Sequence, residues 1–496
     1  MTELKKTSFL KQSFNYLSTT FISNLINLVT LPLYTRFLDP SDYGMIALFL
    51  VFGTTVTSFL SLGLQSATFR YYFQKNDDEQ TFRSLNFTNI IFVLLIFCSA
   101  IFPVYFLREW VSKTIFDGNI SGRLLLLSFF CGTLEYFNSY FFFMLTAQGK
   151  AKAFGIITLG KSLLNNILSF YFIIFHSMTY MGRIHGLWIS QLLVTLVLLY
   201  LCKNTLTPKI SIPSLKKSLK FSMPQVPLGA LGLVYSSFDK AMLSSYRGLT
   251  DVGYFNFGER FASLISLCID SIDKAWSPLF LKKASEDTAK AKQEIVDRFC
   301  ELAFVFMIGG MCIIYFSEEL IRVLTTPEFY PAMFVVPVYA YYHIFGMTGK
   351  IAVNQLMYAE KLGYLAPSSI VSMVLNVLLN IILIKKWGAV GAATATAIAS
   401  CGSSIVLIYY GHKAYPLPIR SAKLIGMFLF FMAFTAPIYP LMMWETGFFI
   451  KVFLKIVLIA TFIYFGIKAN YVALDQIKKY AERVVFLKSV LRKLTA

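Results

Sequence analysis

Fourteen stretches of predominantly apolar residues follow one another along this chain, separated by short polar segments. An α-helix needs about 20 such residues to cross the hydrocarbon core of a membrane. With 14% charged residues, against about 25% in soluble domains, the chain has too few polar side chains to cover a soluble surface. The sequence therefore predicts an all-α polytopic membrane protein with fourteen spans, near 13–36, 44–69, 86–107, 123–147, 153–176, 184–202, 221–246, 252–280, 299–317, 331–359, 364–384, 389–411, 423–443 and 449–467.

The distribution of basic residues predicts an orientation. Of the 45 Lys and Arg residues, 29 lie in segments that are cytoplasmic if the N-terminus is inside, ten in the opposite loops and six inside spans. Because cytoplasmic loops of membrane proteins are enriched in Lys and Arg, we expect both termini in the cytoplasm. The same rule explains most of the net charge of +19 without a nucleic-acid partner. The seven cysteines contain no C-x-x-C pair and favour packing over metal binding.

The connections between spans are all short, and the longest are 203–220 and 281–298. None could fold into a soluble domain with an active site, so we expect no enzyme. Beyond the last span, apolar and basic residues of 468–496 recur at helical spacing. This pattern predicts a helix on the anionic inner leaflet, with a partner-binding helix as the alternative.

An internal repeat is indicated by an offset of 211 residues. This offset aligns Arg36 with Arg247, Leu38 with Leu249, Tyr43 with Tyr254 and Asn165 with Asn376. Together with the span count, it predicts two lobes of six spans, since transporters are often built from repeated bundles. The predicted segments are an N-lobe over 1–208, a C-lobe over 209–412, a two-span appendix over 413–467 and the tail over 468–496.

Several short motifs resemble the oligosaccharide-lipid flippases that export polysaccharide repeat units. They are Leu31-Pro32-Leu33-x-x-Arg36, Asp42-Tyr43-Gly44, Gly63-Leu64 followed by Ala67 and Arg70, and Gly388-x-x-Gly391-Ala392-Ala393. These flippases belong to a superfamily with multidrug extruders and peptidoglycan-precursor flippases. The resemblance implies two six-helix lobes around a central cavity that opens alternately to each side.

The same resemblance implies a substrate and its surroundings. The substrate would be a polyprenyl-pyrophosphate-linked oligosaccharide in the bacterial cytoplasmic (inner) membrane. It would pass from the inner to the outer leaflet for the biosynthesis of surface polysaccharide such as lipopolysaccharide. Membrane lipids and polysaccharide polymerase or assembly proteins are the partners that this function implies.

Twelve ionisable residues lie inside the predicted spans, and each costs about 2.5–3.5 kcal/mol to insert. We therefore expect them to face a wet cavity or one another. The candidate cations for substrate binding are Arg260, Lys240, Lys350, Lys161, Arg36 and Arg70; Arg36 and Arg70 end spans and either anchor at head groups or gate the cavity. The candidates for coupling or charge pairs are Glu259, Asp239, Asp270, Asp273, Glu135 and His343.

Two of these pairs lie at nearly the same depth. Asp239 and Lys240 come about ten residues before the outer turn at Leu249, and Glu259 and Arg260 come about ten residues after it. They either form two salt bridges that join spans 7 and 8 or leave a cation to hold an anionic head group. Arg260 is the leading candidate for that cation.

The eighth span carries an acidic stripe. Glu259, Asp270 and Asp273 share one helical face because their spacings are close to whole turns. The stripe could relay protons or bind Na⁺, and a solvated inner helix end is the alternative for Asp273 and Lys274. Apart from such a coupling ion, no cofactor or metal is expected.

The other intramembrane charges predict smaller roles. Glu135 and Lys161 lie within about 7 Å of each other in depth, which favours a structural pair. Lys350 is a second cationic candidate, and His343 two turns earlier is either simply hydrogen-bonded or a reporter of protonation. Lys455 follows a short outer loop, from which it can snorkel towards the membrane surface, and is given no role.

These patterns predict a flippase. An anion with a charge of about −2 gains about 4–5 kcal/mol per 100 mV on leaving a negative interior, so a coupling ion is not required. The alternatives are an ion-coupled multidrug exporter, which would show its intramembrane basic residues in salt bridges, and a peptidoglycan-precursor flippase. A repeat-unit polymerase or glycosyltransferase would need a long extramembrane segment, and a membrane scaffold would show no continuous cavity.

Overall fold

The computed structural model of the protein describes residues 18–73, 79–223, 226–444, 447–469 and Tyr471. The side chains of 73, 227–236, 271, 274, 275 and 421 fall outside that description. The predicted tail helix over 468–496 therefore lies outside the described residues except at its first positions, and the side chain of Lys274 lies outside them too. The predicted cytoplasmic location of the termini stays a prediction.

Helices and short connections make up the described part of the chain, which contains no β-strand. The helices are α1 (18–29), α2 (Leu31–Tyr34), α3 (Pro40–Leu60), α4 (Leu64–Phe73), α5 (Glu79–Ile115), α6 (Gly122–Ala147), α7 (Ala151–Phe175), α8 (Tyr180–Cys202), α9 (Ile212–Ser222), α10 (Val226–Arg247), α11 (Leu249–Ala284), α12 (Ala289–Leu324), α13 (Val335–Tyr358), α14 (Leu365–Ala414), α15 (Ser421–Thr435), α16 (Ile438–Met443) and α17 (Phe448–Lys468).

The fourteen predicted stretches are helical wherever they are described, apart from short turns. Two of them are the two helical segments of α14, which meet at a kink at Gly388, where φ is 53° and ψ is −129°. Glycine adopts this backbone conformation at little cost because it has no Cβ. Within the described ranges, eight helices are long and apolar enough to cross a membrane. The predicted fold class, an all-α polytopic membrane protein, is confirmed.

The start of α3 shows how local sequence sets a helix boundary. The carboxylate of Asp39 accepts a hydrogen bond from the backbone N–H of Asp42 at 2.7 Å. In return, the Asp42 carboxylate accepts one from the backbone N–H of Asp39 at 3.2 Å. Pro40 takes the first helical position, where its missing N–H has no intrahelical partner to lose. The first residue of the motif Asp42-Tyr43-Gly44 is thus part of the N-terminal cap of α3.

Helices α3 and α6 cross closely because two glycines lie at the crossing. A Cβ added to Gly53 would lie 2.2 Å from the carbonyl oxygen of Ser128, and one added to Gly132 would lie 2.3 Å from the carbonyl oxygen of Gly53. The hydroxyl of Ser128 also donates a hydrogen bond to the carbonyl oxygen of Phe49. Small residues at a crossing let two backbones approach, which is how helices associate in a bilayer without a hydrophobic driving force.

The two turns that align at the offset of 211 residues pack against each other. A Cβ on Gly44 would lie 2.0 Å from the carbonyl oxygen of Leu249, and a Cβ on Gly253 would lie 1.8 Å from that of Pro40. Each turn therefore needs a glycine to admit the backbone of the other. The predicted duplication stays a prediction.

The described residues fall into two compact units. The first unit comprises the described residues within Met1–Phe257, Arg322–Ala332 and Met373–Ala395, and the second comprises those within Gly258–Ile321, Met333–Ser372 and Thr396–Ala496. The chain passes between the units several times, so neither is one continuous segment. The predicted division at 208/209 and at 412/413 concerns the order of spans and stays a prediction.

Candidate functional site

A cavity of about 570 Å³ lies in the first unit among α1, α4, α6 and α7. We call it the hydroxyl-lined cavity, because hydroxyl or carboxamide groups line it at Thr20, Ser23, Asn27, Ser139, Thr146, Thr158, Ser162 and Asn165. Four aromatic rings, Phe69, Phe142, Phe143 and Phe154, complete its wall together with Glu135 and Lys161. Its volume falls within the range of sites for small organic ligands.

The ion pair in the wall of this cavity was predicted. Lys161 on α7 donates a hydrogen bond from Nζ to Oε2 of Glu135 on α6 at 2.6 Å. Gln191 on α8 donates to the same carboxylate oxygen at 3.0 Å. The expected contact of Glu135 with Lys161 is therefore present, and it makes the pair neutral. The wall presents many neutral donors and acceptors and no net charge.

A hydrogen-bond network leads from the cavity to Arg183 on α8. Asn166 donates to the side-chain oxygen of Asn27 at 3.3 Å and to the carbonyl oxygen of Ser162 at 2.8 Å. The oxygen of Asn166 accepts from the hydroxyl of Tyr34 at 2.9 Å. Arg183 donates from Nη1 to Tyr34 at 2.5 Å and to Asn166 at 3.4 Å. The predicted span 184–202 left Arg183 in the preceding loop. In the structure α8 begins at Tyr180 and therefore includes Arg183.

Asp239 lies in a second polar cluster of the first unit. Asn380 on α14 donates to Asp239 on α10 at 2.5 Å and to Asn376 at 3.0 Å. All three side chains are at most 3% exposed, and the side-chain oxygen of Asn380 has no hydrogen-bond partner in the described structure. Carboxylate and carboxamide oxygens are ligands for hard cations, although no cluster of three His, Cys, Asp or Glu residues exists in the described ranges.

In the second unit, Lys350 joins two of the predicted acidic residues. Its Nζ lies 3.3 Å from Asp270 and 3.3 Å from Asp273, so α13 and α11 are linked by a triad of charges. The three side chains are partly exposed, at 37%, 57% and 28% respectively. Because one cation faces two carboxylates, the triad is net negative when all three groups are charged.

Glu259 also faces α13. Its carboxylate accepts a hydrogen bond from the hydroxyl of Tyr339 at 2.9 Å. The common face predicted for Glu259, Asp270 and Asp273 is therefore directed at one helix. His343 packs its ring on Tyr339, with ring centres 5.6 Å apart. Its Nε2 is buried without a hydrogen-bond partner among the described residues, and both interpretations of His343 stay predictions.

The other predicted cations occupy separate positions. Arg36, Arg70 and Arg260 are exposed, and Lys240 is half-buried on α10. Arg70 lies with its guanidinium carbon 4.3 Å from the centre of the Phe221 ring, which fastens the end of α4 to α9. Lys240 and Arg260 both have interaction partners, so neither is a free cation. Their roles in substrate binding stay predictions.

The prediction for Lys455 is wrong. This side chain does not snorkel; it is 0% exposed and donates to Glu319 at 2.6 Å and to Glu318 at 3.4 Å. Lys451, near the start of the last predicted span, lies in α17 and donates to Glu318 at 3.2 Å. The sequence analysis overlooked both glutamates because it did not show that α17 packs on α12. Carboxylates on α12 therefore pair with these lysines inside the protein.

A sequence profile of the family described as "Polysaccharide biosynthesis protein" matches residues 9–283, which is more than half of the chain. The chain belongs to this family. The matched segment contains the hydroxyl-lined cavity, the Arg183 network and most of the motifs that carried the resemblance. The resemblance to polysaccharide-exporting proteins is therefore confirmed.

A curated relative of this polysaccharide biosynthesis protein is the "Probable low-salt glycan biosynthesis flippase Agl15" of Haloferax volcanii. The two chains are 24% identical over 208 residues, which cover 42% of this chain and 44% of the relative. The match thus spans less than half the length of that relative.

Solved structures share the fold at low sequence identity. The lipid II flippase MurJ in an inward closed conformation is 17% identical with a TM-score of 0.70, over 91% of this chain and 98% of that one. An inward-facing multidrug resistance MATE family transporter of the MOP superfamily is 15% identical with a TM-score of 0.64, over 81% of this chain and 97% of that one. A MOP superfamily transporter from Pyrococcus furiosus is 14% identical with a TM-score of 0.58, over 82% of this chain and 95% of that one. The polysaccharide biosynthesis protein therefore has the fold of these transporters.

Proposed function

We propose that the protein is a flippase that moves a polyprenyl-pyrophosphate-linked oligosaccharide from the inner to the outer leaflet of the bacterial cytoplasmic membrane by alternating access. It acts as a transporter and not as an enzyme, both of its termini are cytoplasmic, and it serves surface polysaccharide biosynthesis beside polymerase and assembly proteins. Membership of the polysaccharide biosynthesis family and the printed function of the Haloferax volcanii relative support this class of activity.

The composition of the hydroxyl-lined cavity carries the proposal. Eight hydroxyl or carboxamide side chains match the alternating donors and acceptors of sugar hydroxyls, and four phenylalanine rings offer faces to the apolar sides of sugar rings. A cavity of about 570 Å³ accommodates a short oligosaccharide better than a whole polyprenyl chain. The lipid tail then stays in the bilayer while the sugars pass through the protein.

The neutral ion pair in the wall is compatible with an uncharged polar ligand such as a sugar. Lys161 and Gln191 both donate to Oε2 of Glu135, and Lys161 balances the charge of the carboxylate. A polar ligand without charge can exchange hydrogen bonds with such a wall at little cost, since burial of polar groups is tolerated when each finds a partner.

The ion-coupled multidrug exporter is the second candidate, and one observation favours it. Lys350 lies between Asp270 and Asp273, and Lys161 is also paired with a carboxylate. Basic residues held in salt bridges are what that alternative required. The net negative triad in the second unit is also suited to coupling by H⁺ or Na⁺, which stays a proposal for either function.

Transport by the purified protein in liposomes tests the two candidates. A fluorescent polyprenyl-pyrophosphate-linked oligosaccharide should move between leaflets, as measured by its access to an impermeant quencher. Filling the cavity by Ser139→Leu together with Asn165→Leu should lower that rate about tenfold or more, because sugar hydrogen bonds and space are lost together.

The matched control is Ser99→Leu, since Ser99 is an exposed serine on α5 away from the cavity. It should transport like the wild type. Extrusion of cationic dyes by the wild-type protein, without movement of the oligosaccharide lipid, would establish the drug exporter instead.

A further inference from the structure

Arg183 differs from four lysines whose partners are carboxylates. Lys161, Lys350, Lys451 and Lys455 each contact a carboxylate. In the part of the chain that the structure describes, the hydrogen bonds of Arg183 all go to neutral oxygens. Its Nη1 donates to the Tyr34 hydroxyl at 2.5 Å, to Ser169 Oγ at 3.3 Å and to Asn166 Oδ1 at 3.4 Å.

These contacts hold the guanidinium in one orientation. Its carbon lies 4.4 Å from the centre of the Tyr34 ring, and Tyr34 is itself stacked on Phe170 with ring centres 4.3 Å apart. All three hydrogen bonds use Nη1, so no described residue binds Nε or Nη2. The Nε–Nη2 edge of a guanidinium carries two parallel N–H donors, the geometry that binds carboxylate or phosphate oxygens at two points.

The carboxylate of Asp42 comes near α8 but serves another purpose. It interacts with Thr179 and the backbone of Tyr180 at the start of that helix, and it closes the capping box with Asp39. It forms no ion pair with Arg183 among the described contacts. Arg183 is thus a half-buried cation whose positioned donor edge lacks an anion.

We propose that Arg183, positioned by Tyr34, Asn166 and Ser169, binds a phosphate group of the lipid carrier. The site rests on the proposed function, because the sugar and the phosphate are parts of one substrate. Asn166 connects the two places: it contacts Arg183 and also Asn27 and Ser162, which line the hydroxyl-lined cavity. The cavity takes the sugars and the Nε–Nη2 edge of Arg183 takes the phosphate oxygens.

Binding of farnesyl pyrophosphate, a short polyprenyl pyrophosphate, to the purified full chain in detergent tests the site. Arg183→Gln should weaken binding about tenfold or more, because a charge-assisted hydrogen bond is lost. Arg183→Lys should give an intermediate affinity, since the charge stays while the two-point geometry is lost. The matched control is Arg108→Gln, because Arg108 also lies over a tyrosine ring, 3.9 Å from Tyr105, but is already paired with Glu109 at 3.5 Å.

A measurement on the wild type makes the test independent of how well the variants fold. Phenylglyoxal modifies arginines, and mass spectrometry gives the rate at each position. Farnesyl pyrophosphate should slow the modification of Arg183 and leave that of Arg108 unchanged. Farnesol, which lacks the phosphates, should protect neither residue.

Three results would overturn the site. They are an affinity of Arg183→Gln equal to that of the wild type, the absence of protection at Arg183, and binding of inorganic pyrophosphate that is as tight as that of the lipid. The last result would assign the site to a free phosphate. If the wild type moves the oligosaccharide lipid while any of these results is found, this inference fails and the proposed function stands. If the wild type neither binds farnesyl pyrophosphate nor moves the lipid, the proposed function fails as well.

Discussion

The crossing of α3 with α6 in the first unit and the contact of α12 with α17 in the second join helices in opposite ways. At the first, glycines at 53 and 132 bring two backbones together, and Glu135 on the same helix α6 lines a cavity with Lys161. At the second, Lys455 is buried against Glu318 and Glu319. Elsewhere along the same two helices, the rings of Phe304 and Phe462 stack with their centres 5.0 Å apart.

The difference shows where a membrane protein can keep a polar site. At the crossing in the first unit, small residues and hydrogen bonds join the helices without an ion pair among the described residues. The ion pair of Glu135 and Lys161 lies in the cavity wall instead and remains partly exposed. In the second unit, Glu318 and Glu319 of α12 pair with Lys451 and Lys455 of α17 where the two helices meet. The first pair is open to a ligand in the cavity, whereas the second group of charges joins two helices.

The largest effect is expected at Lys455. Lys455→Met should destabilise the protein by about 3–5 kcal/mol, because it removes the ion pair of Glu319 and leaves the buried Glu318 with Lys451 alone. The melting temperature in detergent measures this, with Lys361→Met, at an exposed position of the same unit, as the control that should not change it. Combining Lys455→Met with Glu319→Gln should recover part of the loss. A single variant as stable as the wild type would show that the cluster does not hold α17.

A smaller loss is expected at the glycine crossing. Gly53→Ala should destabilise the protein by about 1–3 kcal/mol, since its Cβ would overlap the carbonyl oxygen of Ser128 and the helices must separate. Gly160→Ala is the matched control, because a Cβ there meets no atom within 4 Å. The same melting experiment applies to both. If Gly53→Ala melts with the control, close backbone approach is not what joins α3 to α6.

Lys161 should affect transport more than stability. Lys161→Met leaves the carboxylate of Glu135 with only the Gln191 hydrogen bond, so the cavity becomes negative and transport of the oligosaccharide lipid should fall about tenfold. The double variant with Glu135→Gln restores a neutral wall and should recover most of the rate in the liposome assay. Equal rates in the single and double variants would contradict the importance of neutrality.

The smallest effect on stability is expected at Lys350. This side chain is 37% exposed, and solvent screening limits such ion pairs to about 0–1 kcal/mol. Lys350→Met should therefore lower the melting temperature much less than Lys455→Met does, in the same preparation. A loss as large as that of Lys455→Met would remove the contrast between exposed and buried pairs within the second unit.

How well the sequence predicted a contact depended on how far apart its partners lie along the chain. The pair of Glu135 and Lys161 was predicted because only 26 residues separate them, on two helices joined by a short turn. The pair of Lys455 and Glu319 is 136 residues apart. Arg183 and Tyr34 are 149 apart. For these distant residues the sequence offered no sign of which helices would become neighbours.

The sequence by itself determined the class of the protein and the helical segments. An apolar run of sufficient length has few alternatives to a helix in lipid, where every backbone group must be hydrogen-bonded within its own segment. Local caps such as that at Asp39 and Asp42 then set where a helix begins. These are short-range effects, so they can be read one segment at a time.

Only the tertiary structure decided which polar groups meet. Twelve intramembrane charges can be paired in many ways that satisfy depth and sign, and the choice depends on which helix faces pack together. That packing places Lys455 against Glu318 and Glu319 and leaves the hydrogen bonds of Arg183 to neutral oxygens. The physical reason is that a buried charge is stabilised by atoms within a few ångströms, and for Lys455 and Arg183 those atoms belong to residues 136 and 149 positions away.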